Sequence, residues 1–198
     1  MRTSQRGFNL IEVMISLTVL GILISLGAPA FSEWLQSQQI RAAAEAILNG
    51  LQVARGEAIK RNLAVQLTLE PPTSGWTVCE AAAQPCDPAI FANPDPLIAN
   101  LGIQNRAHQE GTINASIKTS PEGAIAVTFS PLGSVVPNSD APLTPPLAQV
   151  DVSNPAGGIC IADGGSMRCL RIVVSGGGSV RMCDPTPTVV APDPRACP

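Results

Sequence analysis

The sequence predicts an α+β protein in which one long N-terminal helix packs against an antiparallel β-sheet. Three observations predict it. An apolar run fills residues 8–31 with a single charge, Glu12; a stripe of helical period follows as far as residue 62; and short alternating runs punctuated by Pro and Gly fill the remainder. The 198 residues suit one domain plus an extra element rather than two full-size domains.

The apolar run is taken first. From Val13 to Ala30 no residue is charged. As a helix rising 1.5 Å per residue, 8–31 would be about 36 Å long, enough to cross a hydrocarbon core of roughly 30 Å. Arg2 and Arg6 precede it and hold the short polar start on the cytoplasmic side. A cleaved secretory signal is the alternative, with Ala28-Pro29-Ala30 as its small-x-small site. The Pro before the final Ala, the length of the run and the acid within it all favour a retained anchor. Glu12 is costly inside lipid, about 2.5–3.5 kcal/mol, so it either has a partner or marks the interfacial edge of the helix.

Residues 32–62 continue the helix. Ile40, Ala44, Ile47, Leu51, Ala54 and Ala58 form one apolar stripe, while Glu57 and Arg61 pair at i,i+4 on the opposite surface. The stripe predicts a helix that ends near Arg61 and Asn62 and packs on a sheet. Strands follow. Leu63, Val65, Leu67 and Leu69 alternate with Ala64, Gln66, Thr68 and Glu70 as a half-buried strand, Pro71 to Gly75 turns the chain, and Trp76 to Cys79 returns. Glu80 to Asn100, with four Pro, reads as a loop. Further short strands are expected at 113–117, 125–129, 150–152, 159–162, 170–174 and 180–182, with Gly176-Gly177-Gly178 as the last hairpin turn. Pro137 to Pro146 is a second Pro-rich loop.

Composition narrows the function. Fifteen acids against twelve bases exclude a phosphate-attracting field over the whole surface. One His, His108, lies in a polar surface-like stretch, so the commonest catalytic and metal-binding residue is nearly absent. Glu122 and Asp140 have no supporting pattern, and neither Gly-x-Ser-x-Gly nor a phosphate loop is present. No catalytic residue, metal site or cofactor is expected, and the chain is read as not an enzyme.

Gly7-Phe8-Asn9-Leu10-Ile11-Glu12-Val13 resembles the type IV prepilin motif: Gly before an aromatic, Glu at the fifth mature position, then an unbroken apolar run. The resemblance implies cleavage between Gly7 and Phe8 by prepilin peptidase, N-methylation of Phe8, and a Glu12 carboxylate that pairs with the Phe8 amine of a neighbouring subunit. Two opposite charges in low dielectric relieve each other's desolvation and set axial register. Gly21 and Pro29 fall where such helices often bend, although both residues are ordinary in membrane helices. Without Arg2 and Arg6 the net charge falls from -3 to about -5.

Farther along, Phe129-Ser130-Pro131-Leu132-Gly133, Arg171-Ile172-Val173-Val174-Ser175 and Gly178-Ser179-Val180-Arg181 are similar in order and spacing to the GspH/FimT/FimU group of minor pilins and pseudopilins. The resemblance implies a type IV pilin fold. It divides the chain into a leader, 1–7; a transmembrane and filament-core helix, 8–31; its amphipathic half, 32–62; a β-rich periplasmic domain, 63–183; and a Pro-rich tail, 184–198. It further implies a single-pass inner-membrane protein that later joins a cell-surface pilus. Its partners are then other minor pilins, the major pilin, prepilin peptidase, the inner-membrane assembly platform and a tip adhesin.

Six Cys, at 79, 86, 160, 169, 183 and 197, all follow the apolar run. They lack metal spacing, and an even number on an exported domain reads as three disulfides. Six Cys allow fifteen connectivities; nearest-neighbour pairing is the simplest.

Three functions follow. The leading one is a minor pilin that enters the filament, at or near its tip, and helps to initiate assembly. A pseudopilin of type II secretion shares motif and fold. The third class is DNA uptake, since some FimT-like members use a C-terminal Gly-Arg-x-Arg motif. Here Ser179 replaces the first Arg, leaving Arg181 with Arg171 as candidate DNA contacts, and nucleic acid is not the favoured partner. Arg168 and Arg195 lie close in sequence, but Asp163, Asp184 and Asp193 are interleaved with them.

Overall fold

The structure, a computed structural model, describes residues 9–82, 86–107, 112–138 and 144–198, without the side chains of 26–30. Gly7, Phe8, His108 and Asp140 therefore lie outside the described residues. Two compact units are present, Met1–Leu35 and Gln36–Pro198. Helix α1, Leu10–Arg61, contributes to both.

In the first unit the helix is apolar on every side. Leu10, Ile11, Met14, Leu17, Leu20, Leu23 and Ile24 are each more than half exposed. The polar residues among them turn inward on the backbone: the Ser16 hydroxyl donates to the Glu12 carbonyl at 2.8 Å, Thr18 to Ile15 at 2.8 Å and Ser25 to Ile22 at 2.8 Å. Hydroxyls satisfied this way present no unmet donor to an apolar environment. Phe31 stacks on Trp34 with ring centroids 5.8 Å apart. Among the described residues no helix is long and apolar enough to cross a membrane. Of the expected 8–31 span, an unbroken run of side chains is described only to Ser25, short of the roughly 20 residues a crossing requires.

In the second unit the predicted stripe faces the core. Ile40, Ala44, Ile47, Leu51, Ala54 and Ala58 are all buried, joined by Ala43 and Ala46. Small residues on this face let the sheet approach the helix closely: the Trp76 indole lies over Gly50 and donates to the Ala46 carbonyl at 3.0 Å. Asn62 ends the helix in the left-handed region, φ 54°, and the Leu63 amide donates back to Ala58. This pattern satisfies the last carbonyls of a helix. Glu57 bonds Arg61 at 2.7 Å and Lys60 at 3.1 Å on the outer side, and these cations, Arg61 first, hold its carboxyl below the ordinary range.

The strands are β1 Val65–Leu69, β2 Trp76–Glu80, β3 Gly102–Arg106, β4 Ser116–Ser120, β5 Ala126–Phe129, β6 Val135–Val136, β7 Gln149–Ser153, β8 Leu170–Val174 and β9 Val180–Cys183. They form two antiparallel sheets rather than the one expected, in the orders β3-β2-β1-β5-β6 and β4-β7-β8-β9. Val65, Leu67, Leu69, Val78, Val127 and Phe129 of the first sheet share a core with Val150, Val152, Ile172 and Val174 of the second and with the helix stripe.

Several expectations change. β1 is buried on both faces, not one: Gln66 is 1% exposed, and Thr77 and Thr128 beside it are also buried. The cause is the segment expected to be a plain loop. Cys86 and Ile90 pack on Cys79, and the backbone there coils into a 3₁₀ turn, Pro88–Ala92, and a short helix α2, Pro96–Ala99, capped by Asp87 and Asp95. Asn138 closes the same face, accepting from Thr128 at 3.1 Å and donating to the Ala126 carbonyl at 3.1 Å. The strand expected at 159–162 is a 3₁₀ turn, Ile161–Asp163, because Gly158 and Gly164 flank it at φ 103° and 87°. The 113–117 run forms a strand only from Ser116. β3 and β6 carried no alternation in sequence, being a polar edge and a two-residue pairing.

Candidate functional site

Glu12 sits in the first turn of α1, where its amide and that of Val13 donate to the Asn9 carbonyl. The partial positive charge at a helix N-terminus favours a carboxylate there. The side chain is exposed, as are its apolar neighbours, so it is available to a group outside this chain. Its expected partner, the Phe8 amine, and the cleavage site at Gly7 lie outside the described residues.

The three stretches resembling the GspH/FimT/FimU group converge. Ser130 to Ser134 forms a tight turn, with the Ser130 amide donating to the Ser134 carbonyl at 2.8 Å and Gly133 to Ser130 at 2.8 Å. The β8–β9 turn docks on it: the Val135 amide donates to the Gly176 carbonyl at 3.0 Å, and Arg55 of α1 donates to the Gly133 carbonyl at 3.1 Å. Gly178 has φ 77° and its α-carbon faces the Gly133 carbonyl so closely that a side chain there would collide with it. Two distant glycines thus serve one contact joining the two sheets and the helix. Arg55 completes this junction and was not singled out from sequence, where it is one charged residue on a helix face. Leu132 tops the turn, 89% exposed.

The two arginines expected as candidate DNA contacts stand in different surroundings. Arg171 is a fork on Asp151, Nε to Oδ1 at 2.6 Å and Nη2 to Oδ2 at 3.2 Å, across the β7–β8 register. Such bidentate pairing commits the guanidinium plane. Arg181 stands exposed on β9 and has no ion pair among the described residues. Arg168 lies 3.9 Å from Asp184, and Arg195 clamps Asp193 at 2.7 Å, holding that exposed carboxyl down to about 2. Arg168 and Arg195 thus share a groove with Arg41, each beside a carboxylate, while Arg171 is held by Asp151. Nothing in sequence flags Asp151 as the partner of Arg171; strand register decides it.

All six cysteines are paired as nearest neighbours: Cys79–Cys86, Cys160–Cys169 and Cys183–Cys197, with Cα separations of 5.9, 5.6 and 5.1 Å. The third closes the tail, which also bonds back through the Asp184 amide to the Arg195 carbonyl. Among the described residues no group of His, Cys, Asp or Glu is arranged to hold a metal ion.

A long helix, apolar all round at its start and packed on disulfide-stapled antiparallel sheets farther on, defines a pilin-like structural subunit. The profile of the family described as Type II transport protein GspH matches residues 43–178, and that of the prokaryotic N-terminal methylation motif matches residues 2–28. The chain belongs to the GspH family, whose members are structural pilins and pseudopilins of type IV pili or type II secretion systems rather than enzymes. Solved structures similar to it include two pilin-like proteins. One is the type IV minor pilin FimU of Pseudomonas aeruginosa strain PAO1, 18% identical, with 72% of this chain and 87% of that chain covered and a TM-score of 0.47. The other is the minor pseudopilin EpsH from the Type 2 Secretion System of Vibrio cholerae, 12% identical, with 74% and 98% covered and a TM-score of 0.46.

Proposed function

We propose that this chain is a minor pilin of a type IV pilus, cleaved between Gly7 and Phe8, N-methylated on Phe8, and stored in the inner membrane until it joins the filament at or near the tip. In this reading 1–7 is the leader, 8–31 the anchor and filament-core helix, 32–62 its amphipathic half, 63–183 the periplasmic domain and 184–198 the stapled tail. Its partners are other minor pilins, the major pilin, prepilin peptidase, the assembly platform and a tip adhesin.

The observation that carries the reading is the helix from Leu10 to Ile24, apolar on all sides yet exposed, with Glu12 alone among the charges. A helix hydrophobic all round must be covered, by lipid or by other helices. A bundle of like helices does both in turn, and Glu12 then pairs with a neighbour's amine. Glu12→Ala tests it. The variant should be processed normally, read by mass, but fall sharply in sheared filaments; normal incorporation refutes the registry role. Gly7→Asp should instead leave a chain longer by seven residues.

A further inference from the structure

Two carboxylates bracket the apolar part of the helix. Between Glu12 and Glu33, twenty-one residues apart, no residue is charged. At 1.5 Å per residue that separation is about 32 Å, close to the roughly 30 Å of a bilayer's hydrocarbon core. Ser16, Thr18 and Ser25 between them donate to backbone carbonyls, so their hydroxyls do not call for water.

An aromatic pair marks the Glu33 end. Phe31 and Trp34, three residues apart on one side of α1, stack with ring centroids 5.8 Å apart and interplanar angle 27°. They are 60% and 55% exposed, whereas Phe129 and Trp76 are fully buried. The chain has only four Phe and two Trp, so leaving one of each uncovered at a single place calls for a partner. An indole joins an apolar body to a polar N–H, a combination that suits the level where acyl chains meet headgroups. Phe31 lies about 4.5 Å nearer the middle of the helix's apolar span than Trp34, and being wholly apolar it suits the deeper place.

We infer that Phe31 and Trp34 dock on the headgroup layer of a phospholipid bilayer and fix the depth at which the stored helix sits, with Glu12 at the opposite surface. The inference rests on the reading of residues 8–31 as a membrane anchor. Three features select lipid over a neighbouring protein: the helix is apolar on every side rather than on one face, its uncharged length matches the bilayer, and polar or amphipathic groups stand at both ends. With Trp34 at one surface, Glu12 reaches water at the other, and the cost of holding a carboxylate at the bilayer centre does not arise. Glu12 then needs its partner amine only when the helix leaves lipid for the filament.

The test places full-length protein in vesicles of phosphatidylethanolamine and phosphatidylglycerol doped with lipid brominated either near the headgroup or near the chain ends. Trp34 should lose most of its emission to the shallow bromines and little to the deep ones. Trp34→Phe should leave only the unquenched signal of Trp76, which is buried in the second unit. A fluorophore on Val13→Cys, a position 45% exposed, labels selectively because no native cysteine is free. It should show the same shallow preference, and Phe31→Ser with Trp34→Ser should weaken that preference, which a pair without an anchoring role would not do. Stronger quenching by deep bromines at either position, or an unchanged profile at position 13 in the double variant, overturns the proposal. So does a Trp34 untouched by any bromine in chains that float with the vesicles, the result a covering protein would give. Chains that do not float at all overturn the anchor reading as well, so the two failures are told apart.

Discussion

Gly50 and Gly56 lie on the same helix and offer a matched pair of perturbations. Replacing either by Ala in a helix interior gains about 1 kcal/mol of intrinsic propensity. At Gly56 nothing lies within 4 Å of the new methyl, so Gly56→Ala should raise stability by about that amount. At Gly50 the methyl would stand 2.7 and 2.8 Å from the fused bond of the Trp76 indole and 3.0 Å from a Leu67 methyl. The ring cannot swing aside. Trp76 is fully buried and bonded to the Ala46 carbonyl, one turn before Gly50. Overpacking of this kind costs about 1–3 kcal/mol, which equals or exceeds the propensity gain. Propensity cancels between the two variants, so Gly50→Ala should be less stable than Gly56→Ala by about 1–3 kcal/mol. At about 2–4 °C per kcal/mol for a chain of this size, thermal unfolding followed by circular dichroism resolves the difference. A Gly50→Ala protein that melts at or above the Gly56→Ala protein would refute the close packing of Trp76 on the helix.

Two further outcomes are expected. Burial pushes the Glu70 carboxyl up, so its folded form binds a proton more tightly than the unfolded chain does. The contribution of Glu70 to stability is then most favourable below pH 4.5 and declines as pH rises through its folded value; Glu70→Gln should raise the melting temperature at pH 7 and change it little at pH 4. Removing the Cys183–Cys197 bridge with paired Ser substitutions opens a loop of sequence separation 14. This should cost about 3 kcal/mol and expose Arg195 to trypsin while the intact protein resists.

The fold was legible where the information was local. The Ile40-to-Ala58 stripe needed only a period of 3.6, and each of its positions is buried. Asn62 marked the helix end, and Gly176 to Gly178 marked the β8–β9 turn, because both depend on backbone angles of one or two residues. β3 was not legible, since a polar edge strand shows no alternation. Nor was the covering of β1: Gln66 reads as solvent-facing until the 86–90 segment is folded over it. For the candidate site, Glu12 announced itself as the one acid in an apolar run, whereas Arg55 and Asp151 looked like any surface charge.

The sequence by itself determined the long helix, its change from all-round to one-sided apolarity, the processing motif and the even set of cysteines. Each is written in neighbouring residues or in a fixed period. Only the tertiary structure decided that the strands divide into two sheets, that Gly133 and Gly178 meet beneath Arg55, that Arg171 is held by Asp151, and that Arg41, Arg168 and Arg195 surround one groove. These depend on register and packing between segments far apart in the chain, where the energy of a contact belongs to the pair and neither residue alone signals it.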